Sequence, residues 1–320
     1  MTRIQQLAVA LIAAALLFTT PATASDLDTK SILVTGASTG IGRHLAEALA
    51  SEGYHVYAGA RKAEDIAALN AIENITAVRL DVTKQDEIDA AVDMIREQGT
   101  GLYALVNNAG IGSGGPVIET PIDSQALNYR VNVEGVYRVT QAFAPLVVES
   151  KGRIATTGSI AGTVTRAGGS AYSGSKHWIE AFTDAFAAEM APLGVTVSVI
   201  EPGNYQSQIR RSSVLRDFAR VTAAGGVITE EMQERYDETE AFELSLKQPD
   251  EVTAAFMHAL FDDKPLRRYV VTPNEREQAF TINTKLRRLV ELNQWGPYTY
   301  SRDELVEMLD AAIAAKADSE

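Results

Sequence analysis

Residues 31–53 leave few folds open to this chain. Ser31-Ile32-Leu33-Val34 is short, apolar and followed by a glycine turn, the form of a strand buried on both faces. Thr35-Gly36-Ala37-Ser38-Thr39-Gly40-Ile41-Gly42 comes next, then apolar residues at helical spacing through Leu45, Ala46 and Leu49 to a C-cap at Gly53. In a strand–turn–helix context, glycines let the backbone approach a pyrophosphate while the helix N-terminus offers free N–H groups to the anion. Gly36, Ser38, Thr39, Gly40, Ile41 and Gly42 are therefore the expected phosphate-binding residues.

The same alternation continues. Val56–Ala60 reads as a second strand, Ala77–Val82 as a third, Leu102–Val106 as a fourth, Arg153–Thr157 as a fifth and Thr196–Ile200 as a sixth. Thr83 and Asp86 form a capping-box-like start for a helix to Gly99; a helix from about Asp123 to Glu149 carries Asn132, and one from Ala171 closes at Gly194. Strands alternating with helices predict an α/β fold, a Rossmann-like doubly wound parallel sheet with helices on both faces. Arg268–Val271 supplies a seventh strand, and a C-terminal helical extension follows. The second strand ends at Ala60-Arg61, where an NAD-binding unit carries an acidic residue for the ribose 2′-hydroxyl. A guanidinium there suits a 2′-phosphate, so NADP(H) is preferred over NAD(H).

Tyr172 and Lys176 lie four residues apart, which on a helix puts them on one face, about 5–6 Å apart at Cβ. A neighbouring ammonium favours the phenolate and lowers the tyrosine pKa, fitting the pair to exchange a proton with an alcohol or carbonyl. Ser159, thirteen residues before Tyr172, can hydrogen-bond the same oxygen.

Composition excludes much else. Lys+Arg total 29 against Asp+Glu 42, a net charge of -13, which argues against nucleic acid or an anionic membrane as main partner. With no cysteine and four scattered histidines, no metal site is expected. Residues 1–24 have the form of a secretory signal: Arg3, an apolar run from Leu7 to Phe18, then Ala22-Thr23-Ala24. A retained membrane anchor is the second reading, and only it brings a membrane partner. Export implies a periplasmic or secreted protein; a misassigned start would leave it cytoplasmic.

Thr35–Gly42, Asn107-Asn108-Ala109-Gly110, Asn132, Ser159, Tyr172-x-x-x-Lys176 and Pro202-Gly203, in this order and spacing, resemble the classical short-chain dehydrogenase/reductase family. The resemblance implies that Tyr172 is the acid/base group and that Lys176 lowers its pKa and binds the nicotinamide ribose. It gives Ser159 the substrate carbonyl and Asn132 a water of the proton relay. Asp81 and Val82 would flank the adenine; Asn108, Ala109, Gly110, Pro202 and Gly203 would line the cofactor pocket, with Ser207 in place of a carboxamide-binding threonine. The helices around Asn132 and after Tyr172 would form the interface of a homodimer or homotetramer, Ala181, Ala185 and Ala188 giving a small-residue face.

The expected organisation is a signal segment at 1–24, a catalytic domain at 25–272 with a substrate lid near 204–250, and an extension at 273–320. Arg210, Arg211, Arg216 and Arg220 in the lid either bind an anionic substrate or make a solvated helix face, the latter preferred. The expected activity is NADP(H)-dependent interconversion of an alcohol with a ketone or aldehyde, the apolar lid residues suggesting a large apolar substrate. The alternative is a non-catalytic NADP(H)-binding sensor on the same fold.

Overall fold

The computed structural model describes residues 30–317. The expected signal segment at 1–24 lies outside the described residues. β1 (Ser31–Val34), β2 (His55–Ala60), β3 (Ile75–Arg79), β4 (Ala104–Asn107), β5 (Arg153–Thr157), β6 (Thr196–Pro202) and β7 (Arg268–Val271) form one sheet. Its order is β3-β2-β1-β4-β5-β6-β7, and every neighbouring pair is parallel. The chain runs outward from β1 to β3, then crosses back to β4, so the order reverses between β1 and β4. That is the crevice where open α/β sheets bind ligands.

Alternation along the strands divides the core in two. Ile32, Val34, Val56 and Ala58 pack on one face against Leu45 and Leu49 of α1 (Gly40–Ser51) and Val252, Phe256 and Leu260 of α9 (Asp250–Phe261). Leu33, Tyr57 and Leu105 pack on the other, against α3 (Gln85–Gln98), α5 (Val136–Glu149) and α6 (Ser170–Met190). α2 (Ala63–Asn70) joins β2 to β3, and α4 (Ile122–Tyr129) precedes α5. Both faces are covered, so strands such as β1 and β4 carry consecutive apolar residues, Ile32-Leu33-Val34 and Ala104-Leu105-Val106, rather than a polar–apolar alternation. This confirms the seven-stranded, doubly wound α/β architecture read from the sequence.

Three local expectations are corrected. The third strand ends at Arg79 rather than Val82; Leu80 and Val82 are buried as loop residues. Thr83 does not cap α3, because its hydroxyl turns back to Asp81 Oδ1 at 2.7 Å. The helix expected over 123–149 is interrupted by a π-helical turn, Arg130–Gly135, which carries Asn132. The region 204–250 forms two helices, α7 (Ile209–Ala223) and α8 (Glu230–Ser245), on which little is buried besides Val214 and Glu243. α10 (Glu275–Leu292) and α11 (Arg302–Ala317) complete the described chain. A capping box opens α11: Glu304 N–H donates to the Ser301 hydroxyl at 3.3 Å, and the Ser301 N–H donates to the Glu304 carboxylate at 2.7 Å. From Ser31 on, the described residues form one compact unit that includes these last helices. Among them, no helix is long and apolar enough to cross a membrane.

Candidate active site

At the switch point the glycine loop is tied to the end of β4. Asn108 and Ala109 N–H groups donate to Thr35 Oγ1 at 2.9 and 3.0 Å, and Asn108 Nδ2 donates to the Thr35 and Gly36 carbonyls. Gly36 and Gly40 adopt positive φ of 64° and 57°. Gly42 is required for space: a Cβ there would lie 2.3 Å from Asn108 Nδ2 and 2.5 Å from Gly36 O. α1 then begins with no acidic residue in its first turn and no side-chain cap, leaving its N–H groups for a ligand. These features fit the diphosphate of a dinucleotide.

A cavity of about 670 Å³ opens from this loop. All the expected phosphate-loop residues line it: Gly36, Ser38, Thr39, Gly40, Ile41 and Gly42. So do Arg61, Asp81, Val82, Asn108, Ala109 and Gly110 at the adjoining strand ends, and Pro202 and Gly203 on the far wall. Ser159, Tyr172 and Lys176 line it as well. Burial raises the Asp81 carboxyl, but hydrogen bonds from the Thr83 N–H and hydroxyl, with Arg61 and Lys84, more than offset it and hold the group below its ordinary value.

Ser159 follows β5 and opens the 3₁₀ turn Ile160–Gly162, its hydroxyl accepting the Ala161 N–H at 3.1 Å. Tyr172 and Lys176 stand one turn apart on α6. The buried Lys176 Nζ donates to the Thr157 carbonyl at 2.7 Å and lies 5.8 Å from the Tyr172 ring centroid. Burial lowers the Lys176 pKa to about 8, with Glu180 pulling the other way. Burial likewise raises Tyr172, against a hydrogen bond from Ser159 and the charge of Arg210. The expectation of a lowered Tyr172 pKa is therefore corrected: desolvation dominates, although Arg210 pulls the other way and Lys176 stands one turn away.

Asn132 does not line the cavity. It is buried in the π turn, where its Oδ1 accepts the Ile111 N–H at 2.8 Å and its Nδ2 donates to Ile111 O and to Ser175 Oγ at 3.0 and 3.1 Å. Ser175 in turn donates to the Tyr172 carbonyl at 2.7 Å. The side chain thus joins the loop after β4 to the helix that carries Tyr172.

The chain matches the short chain dehydrogenase family over residues 30–217. It belongs to that family. It is 36% identical over 223 residues to the mitochondrial D-beta-hydroxybutyrate dehydrogenase of Bos taurus, covering 67% of this chain and 64% of that protein. The chain thus spans a little under two thirds of the bovine relative's length. It is 31% identical over 245 residues to YbbO, an uncharacterized oxidoreductase of Escherichia coli K12, covering 76% of this chain and 86% of that one. Among solved structures, an actinorhodin polyketide ketoreductase variant with NADPH superposes with a TM-score of 0.64 at 28% identity, covering 77% of this chain and 96% of that one.

The walls of this family member's site hold residues that its motifs do not include. Arg216 of α7 donates across the cavity to Gly112 O, joining α7 to the loop after β4. Glu277 of α10 accepts from both the Asn204 N–H and Nδ2, at 2.9 and 2.8 Å, just beyond Gly203. α10 therefore reaches the edge of the site. Behind Lys176, burial and the neighbouring Glu180 push the Glu201 carboxyl up to about 7, despite Arg268 and Lys285. Thr157, Glu201 and Glu277 went unnoticed in the sequence, where each reads as ordinary strand or helix surface.

Proposed function

We propose that the chain is an NADP(H)-dependent oxidoreductase that interconverts an alcohol with a ketone or aldehyde. The observation that carries this reading is the convergence of Ser159, Tyr172 and Lys176 on the cavity that begins at the glycine loop. The loop and the α1 N-terminus suit the cofactor's diphosphate, Asp81 and Val82 its adenine, and Lys176 its nicotinamide ribose. Arg61, at the end of β2 with no carboxylate in its place on the strand, favours a 2′-phosphate. When bound, the nicotinamide supplies or accepts the hydride.

The protein's own part is to hold and move a proton. Tyr172 keeps its proton through neutral pH because burial disfavours the phenolate, so it serves carbonyl reduction as a proton donor. Ser159, at the mouth of β5, donates to the same substrate oxygen and fixes it against Tyr172. Lys176, anchored on Thr157, keeps a positive charge beside the phenol and stabilises the phenolate left once the proton has gone.

The test is NADPH oxidation by the full chain over a panel of ketones and aldehydes, with NADH run in parallel. Tyr172→Phe is expected to lower kcat by about 10²–10⁴-fold while NADPH still binds. Tight NADPH binding with no turnover on any carbonyl would instead favour the sensor reading, and faster turnover with NADH would remove the role given to Arg61.

A further inference from the structure

Arg210 stands apart from the other arginines of α7. Arg211 pairs with Glu240 and Glu243, Arg220 with Asp217, and Arg216 with the Gly112 carbonyl. Arg210 lies in the first turn of α7, on the wall of the cavity that Ser159 and Tyr172 share. Its guanidinium donates to Asn204 Oδ1 and lies over the Phe242 ring, 5.2 Å from the centroid. Among the described residues it makes no ion pair. Two carboxylates close by, Glu243 and Glu277, are engaged elsewhere. Glu243 takes the Arg210 backbone N–H and the Arg211 side chain, and Glu277 takes Asn204.

A guanidinium has five N–H donors, and one of these is used. The group is nonetheless held in place from two sides: Phe242 supports its plane, and Asn204, itself fixed by Glu277, holds an edge. A solvated arginine needs no such support. An unneutralised cation in a partly buried wall carries a desolvation cost that a bound anion offsets. The chain has 42 acidic residues to its 29 basic ones, yet Asp81, beside Arg61, is the one carboxylate among the described residues that line the cavity.

We infer that the compound handled at Tyr172 is an acid, its carboxylate bound by Arg210: an oxo acid in one direction and the matching hydroxy acid in the other. This rests on the oxidoreductase reading above. A carboxylate matches the free edge of a guanidinium with two parallel hydrogen bonds. Arg210 and Tyr172 line the same cavity, so an acid group held by Arg210 belongs to the compound whose carbonyl reacts there. The carboxylate takes no part in the redox step; it orients the carbonyl toward Ser159 and Tyr172. Arg166 and Arg235, on the same cavity, add positive potential around the mouth.

The experiment compares acetoacetate and levulinate with their methyl esters as substrates of the full chain and NADPH. With the better acid, kcat/KM is expected to exceed that of its ester by about tenfold or more, the worth of a hydrogen bond to a charged group. Arg210→Gln is expected to abolish that preference, raising KM for the acid far more than for the ester with NADPH affinity within about twofold, while Arg210→Lys restores part of it. Equal turnover of acid and ester by the parent overturns the proposal. So does a variant that loses acid and ester alike together with NADPH affinity, which would assign Arg210 to the cofactor. If neither acids nor esters react, the panel of carbonyls above tests the oxidoreductase reading separately, and calorimetry with levulinate on the NADPH-saturated protein decides the subsite. Binding that Arg210→Gln removes supports the subsite, and no binding overturns it.

Discussion

Tyr172 and Lys176 share one face of α6, yet burial moves them in opposite directions. The phenol is raised, and the ammonium is lowered to about 8. Carbonyl reduction needs Tyr172 protonated and Lys176 charged. The raised phenol keeps its proton as pH rises, so the first group to leave its working state is Lys176, whose charge is lost above about 8. The expected profile of kcat/KM for reduction, which reports the free enzyme, is flat through neutral pH and falls as pH rises through about 8. A profile flat well into the alkaline range would place the controlling ionisation on Tyr172 instead. Motif residues were legible because their chemistry and spacing are local: Tyr172 and Lys176 one turn apart, glycines where a tight turn must be. Arg210 was ambiguous in the sequence for the opposite reason. What makes it more than a solvated arginine is Asn204, Phe242 and Glu277, and Glu277 lies 73 residues beyond Asn204.

The strands were readable as elements, since a parallel strand covered on both faces must be an apolar run. β1, β5 and β7 begin and end where the sequence suggested. β3 was misread at its end because Leu80 and Val82 continue the apolar pattern after the pairing with β2 stops at Arg79. The π turn was invisible: its wider hydrogen-bond spacing leaves the apolar period of Val131, Val136 and Val139 looking like ordinary helix. That turn matters because it directs Asn132 inward onto Ile111 and Ser175 rather than toward the cavity. Gly135, at its end, is packed so closely that a Cβ would meet Val82 Cγ2 at 2.6 Å. Asn132→Ala leaves the half-buried Ile111 N–H without its acceptor, at a cost of about 1–3 kcal/mol in urea unfolding. Because Ile111 follows the Asn108–Gly110 wall of the cofactor cavity, NADPH affinity should fall along with stability. Asn132→Asp keeps the acceptor and should recover part of both. A drop in kcat with stability and NADPH affinity unchanged would point to a direct place in proton transfer, the role the family resemblance implies.

At the scale of the whole molecule, the excess of acid lies away from the cavity, whose lining carries Arg61, Arg166, Arg210, Arg216 and Arg235 with Asp81 as its carboxylate. The same excess opposes association of two copies, so any oligomer must be held by an apolar surface strong enough to offset it. α5 and α6 offer one. Tyr137, Trp178, Phe182 and Phe186 form a run of ring contacts, with Trp178 and Phe182 stacked at 4.9 Å and Phe182 and Phe186 at 5.3 Å. Ala181, Ala185 and Ala188 lie exposed on α6 with nothing bulky to keep a partner helix away. A two-fold axis here would set each α6 beside its own copy, so a residue on the seam meets its equivalent. Ala185→Glu would then bring two carboxylates together in an apolar contact, a burial without a partner for either charge. Sedimentation should show the parent as a dimer or tetramer and the variant shifted to smaller species, with unchanged circular dichroism. Raising salt should strengthen the parent's association by screening its like charge. A parent that sediments as a monomer, or a variant that associates as the parent does, would leave this face to some other use.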